Sequence, residues 1–360
     1  MGEASTSLAG QRSWRHARSP QKLTAYFYLN ASHLFMPVFF KLALFITCLF
    51  FTCLGQQSYA QQPIVNENLE VPGGQFKINW KSRFDWRERE KIKTWLTQAA
   101  NTASLVNGRF PLRTTRININ RTVKGRSAVP WAHTLRESTP EGVEFHVNPN
   151  ATLASFVKDW TAVHEFSHLY IPYPGSRDVW ISEGFASYYQ NILMARGKIL
   201  SGKQAWQKLA DGFHRGSRDQ KNNIKLHKLS AGRSGGTMRV YWSGALYFLE
   251  ADLNLRNTGQ SLDEVINEYV KCCRTSRKYT NGSILATEFD RIAGREIFHP
   301  LYNKYANEYS FRDYKKVLAR LGITLDARHK VLLEMDDYHS ALRASFVSPA
   351  SQVFYMTNED

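Results

Sequence analysis

Apolar positions along the chain follow two rhythms, and the change from one to the other divides the molecule. Gln75 to Trp80 reads as a short strand. In Thr114 to Asn120 the apolar residues alternate around Ile117 and Ile119, and in Val143 to Val147 they alternate against Glu144 and His146. A period of two puts every second side chain on one face, so these runs predict a small sheet. Trp86, Ile92, Trp95, Leu96 and Ala99 instead recur at helical spacing and predict an amphipathic helix over Asp85 to Leu105, ended by Gly108. The stretch from Gln61 to Gly74 is polar and carries no element.

From Thr152 onward the pattern is helical. Leu153, Phe156, Val157, Trp160 and Val163 predict one mostly buried helix over Thr152 to Tyr170, which Pro172, Pro174 and Gly175 break. A second helix over Asp178 to Arg196 ends at Gly197. Joined by a short turn, the two can pack antiparallel, which brings the start of the second beside the end of the first. Further helices are predicted at Lys203 to Phe213, Tyr241 to Leu255, Ser261 to Cys273, Thr287 to Ala293, Ile297 to Glu308 and Phe311 to Leu321. Ser261 with Glu264 forms a capping box, and Gly294 and Gly322 mark helix stops. Gly216 to Gly236 is polar, basic and rich in Gly and Ser, and reads as a mobile loop. The fold class is therefore α+β. An N-terminal α/β subdomain covers residues 61–150, a helical subdomain 151–325 and a C-terminal tail 326–360.

The first 60 residues have a different character. Lys41 precedes an apolar run from Leu42 to Leu54, and Ser58 and Ala60 supply small residues for a signal peptidase. A run of 13 residues is short for a bilayer span, so it reads as a signal peptide cleaved near Ala60, with a membrane-anchored form as the alternative. Met36 is a sensible alternative start. The expected location is periplasmic or extracellular.

Composition adds two points. The chain carries 47 Lys and Arg against 31 Asp and Glu; the leader holds five and one of these, leaving 42 against 30, or +12. A basic surface of this kind suits anionic envelope material, although a merely solvated basic face explains it as well. No nucleic-acid motif is present. Cys272 and Cys273, the two cysteines beyond the leader, are expected to be two thiols on a helix rather than a disulfide.

Candidate chemistry lies at the centre of the chain. Asp159-Trp-Thr-Ala-Val-His-Glu-Phe-Ser-His-Leu-Tyr170 contains an HExxH. Residues four apart share a helix face, so His164 and His168 can converge on one cation. Glu165 is offset by about 100° around the helix and can reach a water at the metal without joining the ligand set. Glu183, in Val179-Trp-Ile-Ser-Glu-Gly-Phe-Ala-Ser-Tyr-Tyr189, is the candidate third ligand. Two His and one Glu leave a fourth position for water, the pattern of a catalytic zinc site, whereas structural zinc is usually closed by four ligands and rich in Cys. One Zn2+ per chain is expected. His146, His214 and His299 have no ligand spacing.

These segments resemble the zinc signature of the gluzincin metallopeptidases, closest to the aminopeptidase-N-like and glycyl-aminopeptidase-like families. The elements are His164-Glu-Phe-Ser-His168, then Trp180-Ile-Ser-Glu-Gly-Phe-Ala-Ser-Tyr188, then Tyr241-Trp-Ser-Gly244 opening a helix, and the similarity covers roughly residues 150–325. The resemblance implies a thermolysin-like catalytic domain with His164, His168 and Glu183 as zinc ligands, Glu165 as general base and Tyr241 as transition-state stabiliser. It also implies peptide or protein substrates, hydrolysed by a zinc-activated water. Two departures stand out. Only 14 residues separate His168 from Glu183, so the connection is tight, and no GxMEN segment is present, Gly142-Val-Glu-Phe145 being a poor substitute. Endopeptidase and aminopeptidase action therefore both remain open, as does a zinc-scaffold binding protein without turnover. The Val143 to Val147 strand is expected to offer its edge to an extended substrate. Oligomeric state is not legible.

Overall fold

The computed structural model describes residues 66–348 apart from 220–222, 233–234 and 275–279. The expected leader and the last residues of the expected tail lie outside the described residues. No helix among the described residues is long and apolar enough to cross a membrane.

Five strands form the N-terminal sheet: β1 (Asn66–Val71), β2 (Gly74–Trp80), β3 (Thr114–Arg121), β4 (Trp131–Leu135) and β5 (Gly142–Val147). Their order is β1-β2-β3-β5-β4, with β2, β3 and β5 parallel and the two outer strands antiparallel. β1 and β4 were not expected. β1 lies in the polar stretch Asn66-Glu-Asn-Leu-Glu, whose exposed edge position asks for few apolar residues. With β4 at the rim, β5 is paired on both sides, so the edge open to an extended chain belongs to β4 and not to Val143 to Val147.

Alternation does its expected work inside the sheet. Phe76, Ile78, Ile117, Ile119, Val143, Phe145 and Val147 all point to one buried face. They meet Ile92, Trp95, Leu96, Ala99 and Ala103 of α1 (Trp86–Ala103), whose N-terminus is fixed by an Asp85–Glu88 capping box.

The predicted helix Thr152 to Tyr170 is three pieces: α2 (Leu153–Lys158), α3 (Thr161–Ser167) and a 3-10 turn over His168–Tyr170. Asp159 makes the break. Its backbone is extended, and its carboxylate accepts from the Thr161 and Val129 amides at 3.0 and 3.2 Å, so it ends one helix and starts the next. Trp160, expected inside, is consequently 43% exposed.

The remaining chain is mostly helical: α4 (Val179–Arg196), α5 (Gly202–Arg218), α6 (Leu226–Ala231), α7 (Thr237–Arg256), α8 (Leu262–Cys272), α9 (Gly282–Ala293), α10 (Phe298–Ala306), α11 (Tyr314–Ala319) and α12 (Asp337–Val347). The segment read as a mobile loop contains α6, anchored by buried Leu226 and Leu229. The expected tail holds β7 (Val331–Leu333), which pairs with β6 (Ile323–Leu325) just before it, followed by α12, whose Phe346 is fully buried against Trp206. Cys272 and Cys273 are joined by a disulfide, which corrects the two-thiol expectation. Cys273 has already left helical geometry as the C-cap of α8, so the pair does not sit on a regular helix.

Candidate active site

α3 lies between two apolar clusters and belongs to both. Ala162 and Phe166 face the sheet, where the Phe166 ring packs on Phe76, Phe110 and Phe145 at 5.3, 5.1 and 5.8 Å. Val163 and, in the 3-10 turn, Tyr170 join the helical cluster. The face left over carries His164 and His168, whose rings meet edge to face at 4.8 Å.

Glu183 comes from the first turns of α4. Its Oε2 lies 3.4 Å from His164 Nε2 and 3.6 Å from His168 Nε2. Ligands held about 2.0 to 2.1 Å from a tetrahedral zinc lie roughly 3.3 Å from one another, so this spacing fits the ion. The same Oε2 is buried without a hydrogen-bond partner. A buried carboxylate oxygen left in that state is costly, and a cation between the three atoms removes the cost. Burial alone would raise the Glu183 carboxyl, but the two imidazoles outweigh it and hold the group well below the usual carboxylate range. Part of the Glu183 side chain stays accessible, at 19%, so the centre opens to solvent on one side.

The other nitrogen of each ring is also engaged. His164 Nδ1 lies 3.0 Å from Gln190 Oε1, and His168 Nδ1 lies 3.1 Å from Ser182 Oγ. A neutral imidazole that donates from Nδ1 presents its Nε2 lone pair to a metal. Burial lowers His168 to about 4, keeping it neutral at ordinary pH, while His164 is raised because Glu183 and Glu165 outweigh its burial. Ser182, Glu183 and Gln190 all sit on α4, so one helix supplies a ligand and both supports. Sequence reading had not found Ser182 or Gln190. Gln190 lies two turns after Glu183, which puts it on the same face, and that spacing was a usable signal.

Glu165 is buried beside the cluster, and burial pushes its carboxyl up to about 7. A carboxyl in that range is suited to taking and returning a proton near neutral pH. The Tyr241 ring lies parallel to that of His164 at 6.2 Å, on the first turns of α7. Trp160 meets His164 edge to face at 5.4 Å and borders the cluster from the exposed side. All five residues named from sequence are thus brought together. His146, His214 and His299 lie elsewhere: His146 pairs with Glu144, His214 with His329, and His299 with Tyr302. Two further clusters with metal-ligating atoms, Cys272–Cys273–Glu288 and Glu334–Asp336–His339, lie nearer the surface.

A family model for the M61 glycyl aminopeptidases matches residues 170–241, a segment that begins two residues after His168, passes through Glu183 and ends on Tyr241. No curated protein matches the chain. Among solved structures, an aminopeptidase N family protein from Idiomarina loihiensis is similar over 73% of this chain and 50% of its own, at 14% identity and a TM-score of 0.56. An M1 zinc metallopeptidase from Deinococcus radiodurans is similar over 69% of this chain and 52% of its own, at 13% identity and a TM-score of 0.45. The chain spans about half the length of these structures. In the order of its motifs, in the matched segment and in its α+β fold, the chain resembles the gluzincin aminopeptidases.

Proposed function

We propose that this protein is an exported zinc metallopeptidase with a thermolysin-like catalytic arrangement, in which His164, His168 and Glu183 hold one zinc ion. The observation that carries the reading is the buried Glu183 Oε2, which has no hydrogen-bond partner and lies at ligand spacing from two imidazole nitrogens. A zinc ion held by these three residues would supply Lewis acidity, for the activation of water and the polarisation of a scissile carbonyl.

The chain's own residues do the rest. Glu165 accepts the proton of the attacking water and returns it to the leaving amine, a role that its raised pKa suits. Tyr241 donates from its hydroxyl to the oxygen that becomes negative as the carbonyl is attacked, an interaction that grows only toward the transition state. The open edge of β4, next to α3, pairs with an extended peptide and lays its backbone across the centre. Trp160 gives that cleft an aromatic wall.

The test is hydrolysis of a mixed peptide library by the purified protein, with and without chelator. Cleavage that stops on chelation, returns with zinc and is absent in Glu165→Gln supports the reading; cleavage indifferent to chelator overturns it. A second reading, an aminopeptidase, is favoured by the description of the matching family. Blocked and unblocked peptides separate the two, because an exopeptidase leaves blocked ones intact. The leader over residues 1–60 supports export, and the basic balance supports a loose association with anionic envelope surfaces.

A further inference from the structure

The end of the metal helix is gripped from behind. After Ser167 the chain tightens into a 3-10 turn and then extends at Ile171, so the last carbonyls have no helical partner. Three of them are taken by two arginines. Arg136 Nη2 donates to His168 O and its Nη1 to Ile171 O, both at 2.8 Å, while Arg274 Nε donates to Leu169 O at 2.7 Å. Glu141 stands between the two guanidinium groups: Arg274 Nη1 and Nη2 donate to its two oxygens at 3.3 and 3.0 Å, and Arg136 Nη1 lies 3.7 Å from Oε2. Arg274 and Glu141 are almost wholly buried.

The three residues come from two distant places, the β4–β5 connection and the end of α8. Arg136 follows β4, Glu141 precedes β5, and Arg274 lies just past α8. The clamp therefore ties the sheet and the helical part of the molecule to one turn of backbone, and that turn carries a ligand. His168 is held at its carbonyl by Arg136 and at its ring by Ser182, which leaves its Nε2 little choice of direction.

We propose that Arg136, Glu141 and Arg274 are positioning residues for the metal centre, fixing the His168 turn so that its imidazole meets Glu183 at ligand distance and thereby setting zinc affinity. The inference rests on the metal-centre reading above and adds three residues that touch neither metal nor substrate. Two cations at a helix C-terminus also complement its negative end, and the shared carboxylate keeps them from repelling one another.

The experiment measures zinc dissociation against a competing chelator for the wild type, Arg274→Lys and Arg136→Lys. Each variant keeps a cation but loses the planar fork that reaches a carbonyl and a second acceptor together. Arg196→Lys is the control, since Arg196 is as buried as Arg274 and bonds Phe346 O, Leu105 O and Asp263 far along α4 from the metal. Apo-protein melting is recorded for all four. Zinc affinity is expected to fall about 10- to 100-fold in the two clamp variants, the range for outer partners of metal ligands, and to hold in Arg196→Lys despite a similar loss of thermal stability. Wild-type affinity in a folded Arg274→Lys or Arg136→Lys overturns the proposal, as does an equal fall in Arg196→Lys. A wild type that binds no zinc overturns the metal-centre reading itself, so the two failures are told apart.

Discussion

Gly184 and Gly244 meet backbone to backbone where α4 crosses α7. A Cβ on Gly184 would lie 2.2 Å from the Gly244 Cα, and one on Gly244 would lie 1.8 Å from the Trp180 carbonyl oxygen. Only glycine permits that approach. Glu183 is the residue before one of these glycines and Tyr241 is three residues before the other, so the crossing brings a candidate metal ligand and a candidate hydroxyl donor to the same centre. Glycine in both motifs is thus a matter of packing distance, and the chemistry depends on it.

Gly244→Ala follows as the first prediction. Its new methyl has only backbone to push against, so it is expected to cost at least the roughly 1 to 3 kcal/mol typical of overpacking and to weaken zinc binding with it. Thermal melting and a chelator titration check this. A variant as stable as the wild type would show that the helices do not meet so closely.

Ser182→Ala and Gln190→Ala remove the partners of the two ring nitrogens while leaving the ligands in place. Losses of such partners commonly cost about 10- to 100-fold in metal affinity. Both variants are expected to fold normally and to release zinc to a chelator more readily. Unchanged release would mean that the imidazoles are oriented by packing alone.

Tyr241→Phe keeps the ring that stacks beside His164 and removes only the hydroxyl. Loss of one donor to a developing oxyanion commonly costs about 100- to 1,000-fold in kcat. Steady-state kinetics are expected to show that fall with KM little changed, because the interaction is absent from the bound substrate. A variant with normal kcat would leave Tyr241 a packing residue.

Phe346→Ala tests whether the C-terminal helix belongs to the core. Its ring is fully buried, packs on Trp206 at 5.6 Å and lies under the Arg256 guanidinium at 4.1 Å. Truncating a buried phenylalanine costs about 3 to 5 kcal/mol. A loss of that size in chemical denaturation is expected, and a change below about 1 kcal/mol would return α12 to the status of a loose tail.

The parts legible in the sequence are those with a short-range signal. The HExxH declares itself through a spacing of four, and β3 and β5 through alternation over several residues. Capping residues marked ends well, as Ser261 with Glu264 did for α8. What stayed hidden depends on distant partners. β1 is a polar edge strand and β4 an edge strand of only five residues; the identity of each comes from the neighbour it pairs with, and β4 in turn decided which strand has an open edge. The break at Asp159 rests on its bond to the nearby Thr161 amide and on a second to the Val129 amide, thirty residues back. Arg136, Ser182 and Arg274 are ordinary polar residues until the fold carries them to the His168 turn.

Zinc content per chain, measured on wild type, Glu165→Gln and Glu183→Ala after dialysis against a mild chelator, addresses the central claim most directly. The account predicts one equivalent in the wild type, one in Glu165→Gln and far less than one in Glu183→Ala. Wild-type protein free of zinc, or a Glu183→Ala variant that retains a full equivalent, would contradict it.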